Sequence, residues 1–289
     1  MIGYKPFFQK ERVALKIGYL GTNYHGFQIQ PRLGVPTIEG ELFKALKKLD
    51  IIEDRKAANY SAAGRTDKGV HALAQVVSFD TSNPNVTPRM INSALPEDIW
   101  VFALAKPYSG FNARKGAVTR EYRYFLFLFD EFSDQNIALT RMQEVSKLLI
   151  GTHDFSNFSQ LHDPDYEMER HPAVREIKRI EVELENRQSF VIIDIEANSF
   201  LRKMVRKIVS ALCTVGSGVR DKRWIEALLE LQIKEQIEPA PAFGLVLRNV
   251  SYPGVKFVED EYAKRRIKAR LKKDLVFHAS IAEVLEDMV

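Results

Sequence analysis

Two segments far apart in the chain carry apolar residues on one helical face only. In Thr37–Asp50 that face is Ile38, Leu42, Ala45, Leu46 and Leu49; in Phe200–Val215 it is Phe200, Leu201, Met204, Val205, Ile208, Val209 and Leu212. A one-sided helix has to bury its stripe against another layer. The runs around both segments supply one. Arg12–Tyr19, Val70–Phe79, Ile99–Ala105, Val118–Phe129, Lys178–Leu184, Ser189–Ala197 and Leu245–Leu247 have the β-branched and aromatic content of strands. Shorter helices are expected over Thr87–Ala94, where Pro88 suits the first helical position, and over Lys222–Leu231. The chain therefore reads β, α, β, α, β and then β, α, β, β, α, α, β, which is α+β in two similar halves without a sequence repeat. The expected division is an N-terminal half over residues 1–108, a C-terminal half over 109–254 and a charged extension over 255–289.

Local signals refine these elements. Thr37 can cap the first helix, Glu39 and Glu41 sit at the positive end of its dipole, and Lys44, Lys47 and Lys48 at the negative end. Asn198 or Ser199 is placed to cap the long second-half helix, and Gly216 to end it. Thr140-Arg141-Met142-Gln143 has the form of a capping box opening a helix that stops at Gly151. Glu185–Gln188 reads as a hairpin turn, and the second half of Val118–Phe129 as an apolar strand buried on both faces.

Composition excludes several function classes. Cys213 is the only cysteine of 289 residues, so no intrachain disulfide forms and the cysteine-rich zinc frameworks are out. The six histidines show no HExxH or HxxxH spacing. No apolar run approaches the ~20 residues that span a membrane, and MIGYKPFFQKERV has no apolar core of signal-peptide type, which points to the cytoplasm. A net charge of +4 permits a polyanionic partner without requiring one, so local clusters of Lys and Arg carry the argument.

Six stretches bear on chemistry. Within Tyr60–Phe79, Gly64-Arg65-Thr66-Asp67-Lys68-Gly69 puts a carboxylate on a tight loop before a strand. Taken alone, those six residues make a surface turn more readily than a site. Leu20–Phe27 sets Tyr24 and Phe27 among turn residues, either as a stacking platform or, more commonly, as anchors to the core. On Val118–Phe129, Arg120, Tyr122 and Tyr124 share one face, and Glu121 and Arg123 the other. That pattern suits nucleic acid and an ion-paired edge strand equally. Arg202, Lys203, Arg206 and Lys207 lie off the apolar stripe of their helix, a solvated basic face unless it meets an acid or a cleft. The basic run Lys264–Lys273 is either a helix touching RNA or a solvated one, and His153-Asp154 either a coupled pair or a locally bonded loop.

Five collinear motifs carry a resemblance. They are Gly64-Arg65-Thr66-Asp67-x-Gly69-Val70-His71-Ala72, Phe111-Asn112-Ala113-Arg114, Arg120-x-Tyr122-Arg123-Tyr124, Gly151-Thr152-His153-Asp154-Phe155-x-x-Phe158 and Phe200-x-x-x-Met204-Val205-Arg206. Over residues 12–252 the chain resembles the TruA-type tRNA pseudouridine synthases. It departs from the family pattern at Leu20 and Phe27, where Asp and Trp are usual, and at Ile38-Glu39, where the family reads Val-Gln. Those departures and the tail suggest the archaeal-like branch.

The resemblance implies two α/β-sandwich halves whose mainly antiparallel sheets join into one, with the active-site cleft between them. It implies isomerisation of uridine to pseudouridine in tRNA, at positions 38, 39 and 40 of the anticodon stem-loop, without cofactor or metal, and a homodimer. Asp67 takes the catalytic carboxylate's place, as nucleophile or base. Arg206 is its cationic partner, and Tyr122 stacks on the target base and handles the C5 proton. Arg65 helps hold the flipped nucleotide, and Arg114, Arg120, Arg202 and Lys203 are candidate phosphate contacts. Two other classes compare: a tRNA-binding chaperone on the same scaffold, which needs no buried acid, and a nucleobase deaminase, which needs zinc ligands the sequence lacks.

Overall fold

The computed structural model describes residues 10–127, 134–160, 173–185 and 190–288. The N-terminal half comprises β1 (Glu11–Tyr19), α1 (Ile38–Lys48), β2 (Ser61–Ala62), β3 (His71–Thr81), α2 (Pro88–Asn92) and β4 (Ile99–Ala105). The second half comprises β5 (Thr119–Phe127), α3 (Gln135–Ser146), β6 (Gly151–Asp154), β7 (Val174–Leu184), β8 (Phe190–Ala197), α4 (Met204–Gly216), α5 (Lys222–Leu229) and β9 (Leu245–Ser251). The extension adds β10 (Val258–Glu259) and α6 (Glu261–Met288).

All ten of these strands belong to one sheet, in the order β10-β4-β1-β3-β9-β5-β8-β7-β6, with β2 alongside β3. Every pairing is antiparallel except the central one, where His71 and Ala72 of β3 lie parallel to Val246 and Leu247 of β9. That short parallel step joins the halves, so the single sheet expected from the resemblance is present. It also places the start of β3, just after Asp67, at the seam.

Both helical stripes lie in the core. Ile38, Leu42, Ala45 and Leu46 of α1, and Met204, Val205, Ile208, Val209 and Leu212 of α4, are buried. Each of the larger side chains among them contributes on the order of 2 kcal/mol of transfer free energy. Thr37 caps α1 as expected, its hydroxyl accepting from Gly40 N–H at 3.2 Å. Tyr24 and Phe27 are buried, so the first loop's aromatics are anchors.

Several expectations are corrected. α3 does not begin at the Thr140 box. Asp134 caps it one and a half turns earlier, accepting from the N–H groups of Asn136 and Ile137. Thr140 instead donates back to the Asn136 carbonyl, and Gln143 to the Val182 carbonyl. The stretch after Gly151 is the edge strand β6 rather than a loop. There His153 bonds to the Ile150 carbonyl and Asp154 to Ser156, each partner local, so the two do not act as a pair.

α4 begins at Met204, not Phe200, and neither Asn198 nor Ser199 caps it. Its N-cap is Lys203, with a left-handed φ of 61° and no side-chain cap. Asn198 spends its side-chain oxygen on the N–H groups of Glu176 and Ser199. The distal part of β5 is not buried on both faces: Phe125 and Phe127 are exposed and meet Phe190 edge-on. The proposed continuation to Leu128 and Phe129, and the hairpin turn at 186–188, lie outside the described residues.

Candidate active site

The Asp67 loop is built against the first loop by backbone contact. Val70 N–H closes on the Asp67 carbonyl at 3.2 Å, and Gly69 holds φ +81°. Phe27 N–H donates to the Thr66 carbonyl at 3.0 Å. A Cβ at Gly26, itself at φ +94°, would stand 3.0 Å from that same carbonyl, and one at Gly21 would stand 2.0 Å from the Val70 carbonyl. Only glycine permits both approaches. Side chains finish the cradle: the Tyr19 and Thr66 hydroxyls bond at 2.8 Å, and Gln75 donates to the Gly64 carbonyl at 3.0 Å. Gln28 accepts from exposed Arg65 at 2.8 Å.

From the other half of the chain comes Arg206, in the first turn of α4. Its Nη1 donates to Asp67 Oδ2 at 3.1 Å, an ion pair across 139 positions of sequence. Its Nε donates to the Ala240 carbonyl at 2.6 Å, and Ala240 N–H returns a bond to the Arg206 carbonyl at 3.1 Å. The pair is only partly solvated, with 13% of the arginine and 26% of the aspartate side chain exposed. The basic face of this segment therefore meets an acid at Arg206.

Tyr122 enters from β5. It is buried, and the ring of Phe200 meets it edge-on at 5.2 Å. Burial raises the phenol's pKa well above its usual value, and nearby Tyr19 and Asp67 push it further up. Burial thus keeps the hydroxyl in its neutral form.

The remaining expected residues separate. Arg65, Arg114 and Arg202 are exposed, and Lys203 is half-buried. Arg120 is not offered to a ligand: its guanidinium donates to the carbonyls of Ala117, Asn198, Ala63 and Arg114, at 2.7–3.0 Å. It ties β5 to both halves, which corrects its expected phosphate contact. Lys207 is likewise buried, donating to the Ser159 carbonyl at 2.8 Å. The Phe111–Arg114 connection is held by buried Arg12, which donates to the Phe111 carbonyl at 2.6 Å, and by Tyr252, which donates to the Ala113 carbonyl at 2.5 Å.

Sequence reasoning missed Phe200 as a neighbour of Tyr122, the Gly21/Gly26 cradle, and the role of Ala240 beside Arg206. The two glycines on a loop near the N-terminus were a usable signal. The prolines on either side of Ala240 mark a break in the chain but no partner for Arg206.

A family model described as tRNA pseudouridine synthase matches residues 17–108 and 145–253. These spans take in the end of β1, β2 through β4 and β6 through β9, with Asp67 in the first and Arg206 in the second. The chain belongs to the tRNA pseudouridine synthase family. Among its relatives, a tRNA pseudouridine synthase A of Methanosarcina mazei is 48% identical over 96% of this chain and 98% of its own length. One of Thermococcus sibiricus is 40% identical over 96% and 98%. Among solved structures, a chain of a Cbf5-Nop10-Gar1 complex aligns with a TM-score of 0.36 and 13% identity over 82% of this chain and 49% of that one, too slight a likeness to carry an argument. As a tRNA pseudouridine synthase the chain is an enzyme, and its reaction is the isomerisation of uridine in tRNA. No described helix is long and apolar enough to cross a membrane.

Proposed function

We propose that Asp67 is the carboxylate on which this isomerisation turns, with Arg206 as its partner and Tyr122 as the residue against the target base. The observation that carries this reading is the Arg206–Asp67 ion pair at 3.1 Å, which meets at the seam of the two halves beside a buried tyrosine. The reaction breaks the bond from N1 to the ribose and forms one from C5. The C5 proton leaves and N1 gains one, so no electrons are exchanged and no cofactor is required by the balance. A carboxylate can serve as nucleophile or as base in this sequence. Arg206 keeps it ionised in a partly dry site. Because burial holds Tyr122 neutral, its hydroxyl can accept the C5 proton only while giving up its own, and N1 is the atom that gains a proton in the overall balance.

To reach Asp67 the target uridine leaves its stack, at a cost of a few kcal/mol. Exposed Arg65, Arg114 and Arg202, together with Lys203, offset that cost through phosphate contacts. Asp67→Asn is expected to abolish pseudouridine formation while leaving tRNA affinity within about threefold, since it removes one carboxylate charge without changing shape. Tritium release from C5-labelled tRNA, read beside filter binding, checks it; turnover retained in the variant sinks the assignment.

The target positions 38, 39 and 40 rest on the resemblance alone. Mapping pseudouridine in tRNA from cells with and without the protein decides them, and loss of pseudouridine at other positions alone would overturn them. A homodimer in the cytoplasm is part of the same reading, tested by sedimentation of the full chain and by fractionation.

A further inference from the structure

Arg206 reaches Asp67 from a helix whose first turn has no side-chain cap and whose N-cap residue, Lys203, is left-handed. Something besides α4 must set its guanidinium. The segment Ala240–Gly244, just before β9, is the candidate, because each of its residues is gripped. Ala240 exchanges two hydrogen bonds with Arg206. The Pro241 carbonyl accepts from the Tyr124 hydroxyl at 3.0 Å. The Ala242 methyl faces Gly69, where an added Cβ would meet it at 3.4 Å. Gly244 lies so close to β5 that a Cβ would stand 2.7 Å from the Phe125 carbonyl and 2.8 Å from the Tyr124 ring.

The Phe243 carbonyl, finally, faces His71 Nε2 at 3.2 Å. His71 is the first residue of β3 and follows the Asp67 loop directly. Its Nδ1 accepts from Gly21 N–H at 3.1 Å. Since Nδ1 is the acceptor, Nε2 carries the proton and donates to Phe243. One neutral imidazole thus pins together the glycine loop, the Asp67 loop and the segment that holds Arg206.

We propose that His71 is a positioning residue for the reaction: it fastens the Ala240–Gly244 strap to the Asp67 loop, and the strap sets Arg206 against the carboxylate. His71 lies away from the base itself. It lines a cleft of about 350 Å³ with Arg123 and Phe125, which alternate along β5 with Tyr122 and so point to the other side of the sheet. It touches neither Asp67 nor Tyr122 by any hydrogen bond, and its effect passes through Phe243 and Ala240 to Arg206.

This rests on the assignment of Asp67 and Arg206 above, and the test separates the two. Single-turnover pseudouridine formation and tRNA affinity are measured on the full chain for His71→Ala, His71→Asn, His71→Gln and, as control, Asp67→Asn. His71→Ala is expected to slow turnover about 10- to 100-fold with affinity within about threefold, as for a misplaced partner of a reacting group. His71→Gln keeps a donor for the Phe243 carbonyl and is expected to recover most of the rate; His71→Asn keeps only an acceptor for Gly21 and is not. Should His71→Ala fail to fold, the comparison of Gln with Asn carries the test. Equal rates for those two, a native rate in His71→Ala, or affinity falling in step with rate overturns the proposal. If Asp67→Asn itself turns over, the carboxylate assignment fails instead.

Discussion

Arg206 does work that a lysine could not. Its Nε and Nη1 point to two acceptors at once, the Ala240 carbonyl at 2.6 Å and Asp67 at 3.1 Å. A guanidinium is a rigid fork and an ammonium is a single point on a flexible stem. Arg206→Lys preserves the charge and forfeits one of the two bonds. We expect single-turnover rates to fall about tenfold to a hundredfold, the equivalent of roughly 1.4–2.8 kcal/mol, with tRNA affinity little changed. A rate within twofold of the native enzyme would show that charge alone suffices. The residue types of Asp67, Tyr122 and Arg206 were legible in the five motifs, but what each side chain touches was not. Arg120 shows the limit: it sits beside Tyr122 in sequence like a phosphate contact, yet spends its donors on four carbonyls. Whether an arginine is free or tied depends on which carbonyls come near it, and those of Ala63 and Asn198 come from other elements.

At the level of elements, periodicity placed α1, α5, β1, β3 and β4 nearly to the residue, because their apolar patterns and caps agree with each other. Errors fell where a local signal pointed to the wrong start. The Thr140 box alone suggested where α3 begins, but the helix starts at Asp134, because an extended residue there bonds two free N–H groups at once. Asp134→Ala is therefore expected to cost about 1 kcal/mol, read as a shift in the urea midpoint. Thr140→Ala should be near neutral, since its hydroxyl only bonds back to the preceding turn. The reverse ranking would restore the capping box. α4 failed differently. Phe200 and Leu201 continue the helical stripe in sequence, but the chain turns through left-handed Lys203 instead. That turn releases Phe200 to pack on Tyr122, a tertiary gain no window of sequence contains.

For the whole molecule the governing feature is the seam between β3 and β9. It is held by few ladder bonds, so side-chain ties such as His71 to Phe243 matter more there than within either half. Burial pushes the His71 pKa below its usual 6.5. With the folded pKa depressed, the unfolded chain binds the proton first as pH falls. The stability contributed by neutral His71 is thus present in full above pH 6.5 and is lost progressively below it, toward the folded pKa. Urea midpoints at pH 7.5 and 5.5 should fall more for the native chain than for His71→Gln, in which that titration is gone and all other groups are shared. Equal falls would place the imidazole outside the folding equilibrium. The extension matters at this scale too. From sequence the basic tail is either a helix touching RNA or a solvated one. β10 in fact returns to pair with β4 at the far edge of the sheet, and Arg89 binds Asp260 at 2.9 Å. Beyond Asp274 the face of α6 is exposed throughout, with acids but no Lys or Arg after Lys273, which argues against RNA on that distal part.

The sequence alone determined the α+β class, helix α1, the body of α4, most strands and the loop that carries Asp67. Each of those follows from patterns within about twenty residues, where periodicity, caps and turn residues act. The tertiary structure decided what the loop is for. It brought Arg206 to Asp67 across 139 positions, turned Arg120 inward and laid the Ala240–Gly244 strap between the halves. Those outcomes depend on which strand edges pair at the seam, and a parallel step of two residues leaves too little sequence signal to foretell it.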